Sequence, residues 1–228
     1  KTDYLKYLAC PNEFWLSLQP AKPDRQPETL EYEHLRQQGY EVERYVKMLN
    51  RFQADETRSV DHQRIFQTSD LYARSDIVVT DRQTGVIDIY EVKSSASVKP
   101  EHLDDVAFQK LVSERTGAAV GRCFVVSMNG EYVRQGEIDP EQLFVATDVT
   151  DQITEMLPLT EEQIEAAKTF ADSVPLPSLA DYCAEKLNCE FIRLHFPDLP
   201  EYTVFNISRI NKAKLKELLE SGIIDIRD

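Results

Sequence analysis

Two apolar runs, Leu71–Thr80 and Val86–Ser94, flank the polar segment Asp81-Arg82-Gln83-Thr84-Gly85. This strand–turn–strand unit constrains the chain more than any other stretch, because its turn chemistry predicts an antiparallel hairpin. If the hairpin closes with Asp81 opposite Val86, Asp76 falls directly across from Glu91, with fourteen residues between them. Residues directly opposite share a face of the sheet, and Lys93, two positions beyond Glu91, shares that face too. Like charges placed opposite each other destabilise a sheet. A divalent cation reverses that penalty, since Mg²⁺ prefers oxygen ligands and is often held by one or two carboxylates. An amine beside such an ion can position a water or stabilise charge developing on a phosphate. The bland reading of Glu91 and Lys93 is a pair of solvated residues on a half-buried strand.

The remaining chain supplies elements for an α/β domain. A short helix is expected over residues 2–9, capped by Thr2 and ending at Cys10-Pro11. After a loop containing Pro20, Pro23 and Pro27, the spacing of Leu30, Leu35, Val42, Val46 and Leu49 predicts a long amphipathic helix from Glu28 to Phe52, interrupted at Gly39. Ser59–Gln67 reads as a strand preceding the hairpin, and Glu101–Arg115 as a helix stopped near Gly117. Ala119–Ser127 is an apolar strand, and Asn129-Gly130 predicts a hairpin return over Glu131–Arg134. Thr147–Ser173 reads as a strand end followed by an acid-rich helix; Pro175 and Pro177 mark a hinge into a Cys-containing tail, and Ser208–Ser221 closes as a short helix. The division expected is therefore a core over residues 1–174 and a tail over residues 175–228.

A formal net charge of −14 argues against holding nucleic acid by bulk electrostatics, though a carboxylate-rich site recruits cations and a local basic stripe can act within an acidic whole. No apolar run approaches the roughly 18–20 residues that cross a bilayer, so no membrane partner is expected. Cys10, Cys123, Cys183 and Cys189 occur without secretory features, which favours reduced thiols in the cytoplasm over a disulfide framework. Cys123 lies in the apolar run Cys123-Phe124-Val125-Val126 and reads as plain core. His34, His62 and His102 have no ligand spacing, no phosphate-cradling glycine loop occurs, and no Gly-x-Ser-x-Gly is present. The chain starts at Lys1 and stops at Asp228 without a natural boundary, so it reads as a piece of a longer protein with a possible C-terminal domain.

Several stretches together resemble the RecB-like branch of the PD-(D/E)XK nucleases, near the CRISPR-associated exonucleases that carry an iron–sulfur cluster and a related bacterial family of unknown function. They are Tyr4–Leu16 (YLKYLACPNEFWL), Tyr72–Ser95 (YARSDIVVTDRQTGVIDIYEVKSS), Val106–Gly117 (VAFQKLVSERTG), Met128–Thr150 and the segment from Cys183 to Cys189. The resemblance implies a restriction-endonuclease-like mixed sheet flanked by helices. It implies Mg²⁺ or Mn²⁺ held by Asp76, Glu91 and the Val92 carbonyl, with Glu43 as a further ligand from the preceding helix. Lys93 would be the catalytic lysine and Gln109 a residue that handles nucleic acid. Ser113 replaces the tyrosine that the branch carries four residues after that glutamine, and Ser75 replaces the motif's proline.

The same resemblance implies a metal site built from Cys10, Cys183 and Cys189, with His195 at the place of the fourth cysteine. Such a set can hold a 4Fe–4S cluster or Zn²⁺ and would join the N- and C-terminal parts. The implied activity is metal-dependent hydrolysis of DNA phosphodiesters, as an exonuclease on single-stranded ends. The alternative is a non-catalytic nucleic-acid-binding or scaffold module that keeps the fold. Ile207–Ile226 has the helix–Gly–apolar character of half a helix-hairpin-helix element, for which a packing helix is the plainer explanation.

Overall fold

A computed structural model describes residues 1–19, 30–173, 196 and 198–228. The expected hinge at Pro175 and Pro177 and the residues Cys183, Cys189 and His195 lie outside the described residues. The chain divides into two compact units, one comprising Lys1–Leu5 and Pro27–Ile164, the other Lys6–Gln26 and Glu165–Asp228. The second unit thus draws on both ends of the chain.

The first unit is an α/β structure built on a five-stranded sheet ordered β1-β2-β3-β4-β5. Its strands are β1 (Arg58–Gln67), β2 (Tyr72–Asp81), β3 (Ile87–Val92), β4 (Val120–Met128) and β5 (Phe144–Asp148). All neighbours run antiparallel except β3 and β4, which are parallel. A parallel pair needs a long crossover, and the helix Pro100–Arg115 provides it. Among the described residues of both units, the other helices are α1 (Thr2–Ala9), α2 (Pro11–Leu18), α3 (Leu30–Val46), α5 (Pro140–Leu143), α6 (Thr150–Ala171) and α7 (Lys212–Glu220), with the crossover as α4.

Local chemistry explains most of these boundaries. The β2–β3 turn closes with Asp81 N–H on the Val86 carbonyl at 2.9 Å, and the Asp81 side chain accepts from Gln83 N and Thr84 N. Such Asx geometry is the reason Asp leads turns. At the start of α4, Pro100 occupies the first turn and His102 Nδ1 accepts the Lys99 N–H at 3.1 Å. Gly117 ends it at φ +88°, a left-handed conformation only glycine adopts freely. Gly121 opens β4, where a Cβ would stand 2.8 Å from Asp88 Oδ1 and 2.9 Å from Val86 Cγ1. That glycine lets β4 lie close against β3 where their register shifts.

Two sequence expectations change. The long helix ends at Val46, and a 3₁₀ turn at Asn50–Phe52 follows; Gly39 lies within α3 without breaking it. The return strand to β4 is Phe144–Asp148, not Glu131–Arg134. Val133 is 74% exposed, whereas Phe144 is buried. Glu131–Arg134 does not alternate and turns only Tyr132 toward the core, so the chain continues until the buried Phe144 starts the paired strand.

The sheet is apolar on both faces. On one, Ile77, Tyr90, Phe124 and Val126 pack with Val46, Leu49, Phe52 and Phe144. The rings of Tyr90 and Phe124 stack at 4.5 Å. The alternation of strand residues turns Val78, Ile89 and Val125, all fully buried, to the opposite face. Helix α4 packs across β1 to β4 and is buried continuously from Asp105 to Ser113. Cys123, fully buried, has its thiol pushed up to about 12 by that burial. Alkylation of the native protein at pH 8, mapped by peptide mass, is expected to modify Cys123 on the order of 10³-fold more slowly than after denaturation. Equal rates in both states would contradict this burial.

The second unit has its own small core of Val204, Leu215 and Leu219. Within it Trp15 Nε1 donates to the Ser173 carbonyl at 2.6 Å, and Tyr7 makes ring contacts with Phe14 and Phe170. The stretch Ile207–Ile226 contains α7, whose Leu215 and Leu219 are turned inward, so α7 packs as a core helix in this unit.

Candidate active site

Strand register brings the acids together. The β2–β3 ladder ends at Ile77 opposite Tyr90, and the next step in that register sets Asp76 opposite Glu91, on the face shared with Val78 and Ile89. At this step the ladder is replaced by a side chain: Asp76 Oδ2 accepts the Val92 N–H at 2.9 Å. On its other flank Asp76 faces Gln63 of β1, which lies between the pairs His62–Ile77 and Arg64–Ser75. Gln63 has φ +55°, a left-handed backbone unusual in a strand and costing on the order of 1 kcal/mol for a residue with a side chain. Its Nε2 lies 3.1 Å from Asp76 Oδ1 and 3.5 Å from Glu43 Oε1. Glu43, at the end of α3, is thereby linked to Asp76 through one amide; it also pairs with Lys47 at 2.9 Å.

Glu91 sits deeper, 2% exposed. Its Oε1 receives Lys93 Nζ at 2.7 Å and Lys1 Nζ at 3.0 Å, and its Oε2 receives Gln109 Nε2 at 2.7 Å. Helix α4 adds Asp105, 1% exposed, which no sequence motif pointed to. Asp105 Oδ2 takes Lys93 Nζ at 2.6 Å, and Oδ1 takes Gln109 Nε2 at 2.8 Å and Lys1 Nζ at 3.2 Å. The hint in the sequence is the spacing Asp105 to Gln109, one helical turn that puts both side chains over the end of β3.

The electrostatics follow from this crowding. Burial, together with the charges of Asp76 and Asp105, pushes the Glu91 carboxyl up to about 7 despite Lys1 and Lys93. Asp105 is also penalised by burial, yet the ammonium groups of Lys1 and Lys93 hold it down near 2. Burial disfavours the charged Lys93, but Glu91 and Asp105 outweigh it and keep the ammonium above its ordinary range. Glu91 and Asp105 thus share two ammonium groups with the charge of Asp76 nearby, and Glu91 is the one left short of positive charge.

That imbalance decides whether a divalent cation fits. Among the described residues no group of three or more His, Cys, Asp or Glu stands ready to hold a metal. Mg²⁺ does not require such a cage, since it keeps several waters and takes one or two carboxylates. Asp76 and Glu91 supply two facing carboxylates, and Lys1 Nζ, within 3.0 Å of Glu91, shows that the acids draw in a cation. The donor set fits a hard dication.

Of the other residues singled out from the sequence, Gln109 is fully buried and spends its amide hydrogens on Glu91 and Asp105. Its side chain bridges the two acids. Its Oε1 has no hydrogen-bond partner, nor has the hydroxyl of Ser75. Flipping the amide would aim that oxygen at two carboxylates, so the orphaned acceptor is the lesser penalty. Cys10 caps α2, its Sγ accepting from Glu13 N at 3.5 Å. No protein-family model matches the chain, and no curated protein matches it significantly.

Proposed function

We propose that this chain hydrolyses DNA phosphodiesters with Mg²⁺ or Mn²⁺, acting as an exonuclease on single-stranded ends. The observation that carries the proposal is the meeting of Asp76 and Glu91 across β2 and β3 beside the ammonium of Lys93. Asp76, Glu91, the Val92 carbonyl and Glu43 would hold the ion. When bound, it would polarise a phosphoryl oxygen and lower the pKa of a bound water. Lys93, anchored by two carboxylates, keeps its position and its charge, so it can orient the attacking water and face the negative charge that grows on the phosphate. Gln109 fixes the Glu91 carboxylate from behind. The resemblance to RecB-like nucleases supports DNA as the substrate class and single-stranded ends as its form.

Incubating the chain with end-labelled linear and with circular single-stranded DNA tests this. Progressive shortening of the linear strand in Mn²⁺, its loss in EDTA and sparing of the circle are the expected results. Intact DNA under every metal condition would leave the fold to the alternative, a non-catalytic nucleic-acid-binding or scaffold module.

A second metal, a 4Fe–4S cluster or Zn²⁺ on Cys10, Cys183, Cys189 and His195, is proposed on the resemblance; only Cys10 of the four lies among the described residues. Anaerobically purified protein is expected to be brown if the cluster is present, and colourless with bound zinc in the other case.

A further inference from the structure

Each donor that reaches Glu91 is also held by Asp105. Lys93 Nζ lies 2.7 Å from Glu91 and 2.6 Å from Asp105; Lys1 Nζ lies 3.0 and 3.2 Å away; Gln109 Nε2 lies 2.7 and 2.8 Å away. Glu91 is on the sheet and Asp105 on α4, so two separate elements present parallel acceptors to the same three groups. A cation arriving at Glu91 has to displace ammonium groups from it. Without a second acceptor those partly buried charges would be left unpaired, which is unfavourable.

We propose that Asp105 is a positioning residue that retains Lys93 when Glu91 turns its oxygens to a divalent cation, so that ion and ammonium occupy the site together. This rests on the metal-dependent reading above. Asp105 itself stays off the ion and acts through Lys93. With an uncharged side chain at 105, Lys93 leans on Glu91 alone and competes with the metal for it.

The test is Mn²⁺ uptake without DNA, measured by titration calorimetry on the wild type, Asp105→Asn, Lys93→Met and the double variant. Asp105→Asn is expected to weaken Mn²⁺ binding at least about tenfold, the scale of losing an outer partner of a metal ligand. Adding Lys93→Met is expected to recover most of that loss, because the competing ammonium is gone. A merely structural role for Asp105 would not be rescued in this way. Should the buried amide prevent folding, Asp105→Ser serves the same comparison. Binding by Asp105→Asn within about twofold of wild type, or a double variant as weak as Asp105→Asn, overturns the proposal. If the wild type takes up Mn²⁺ while Asp105→Asn equals it, this inference alone fails. If the wild type takes up none, the metal reading fails with it.

Discussion

Replacing Lys93 by Met is expected to lower Mn²⁺-dependent cleavage by about 10²–10⁴-fold, the range for removing one positioned proton-transfer or charge-stabilising group. The loss should fall on kcat, because the ammonium meets charge that develops during the reaction. Methionine keeps most of the stem's length and apolar contact but leaves Glu91 and Asp105 with one ammonium fewer, so circular dichroism of the variant accompanies the kinetics. The Lys93 ammonium makes two short contacts, at 2.7 Å to Glu91 and 2.6 Å to Asp105, both with nearly inaccessible carboxylates. It is held too firmly to be an ordinary solvated lysine. Steady-state kinetics on a labelled single strand reads the effect, and an unchanged kcat would remove Lys93 from the chemistry.

The largest stability effect expected is at Ile89. Its side chain is fully buried in β3, between the antiparallel partner Val78 and the parallel partner Cys123. Ile89→Ala removes several buried carbons from the centre of the sheet and leaves a cavity that β2 and β4 cannot both close. A loss of about 3 kcal/mol is expected, read as a lower urea midpoint with an unchanged slope. A change below about 0.5 kcal/mol would place this residue outside the core. Ile89 and Glu91 share a face of one strand, so this packing also sets the height of the site acid above α4.

The hairpin and its register were legible in the sequence because one polar turn links two apolar runs. Asp81 at its start fixes the pairing, and period-two geometry then carries Asp76 to Glu91 without knowledge of the rest. Asp105 was not legible, since it stands beside Asp104 in an acid-containing helix. Only the packing of α4 on the sheet separates the fully buried acid from its neighbour. Gln63 was hidden for a different reason: a left-handed residue inside a strand leaves no sequence mark when it is not glycine. The return strand to β4 was misplaced because Asn129-Gly130 signals a tight hairpin, whereas the paired strand starts only at the buried Phe144. Gln109 was found by resemblance, but its burial, and hence its role as a clamp on the acids, emerges only from the helix–sheet contact.

The account stands on one divalent ion shared by Asp76 and Glu91, and a paramagnetic resonance titration with Mn²⁺ tests that most directly. The wild type is expected to immobilise one carboxylate-dependent Mn²⁺ per chain, with Asp76→Asn and Glu91→Gln each weakening it by at least about tenfold. Equal uptake by all three proteins would contradict the shared site.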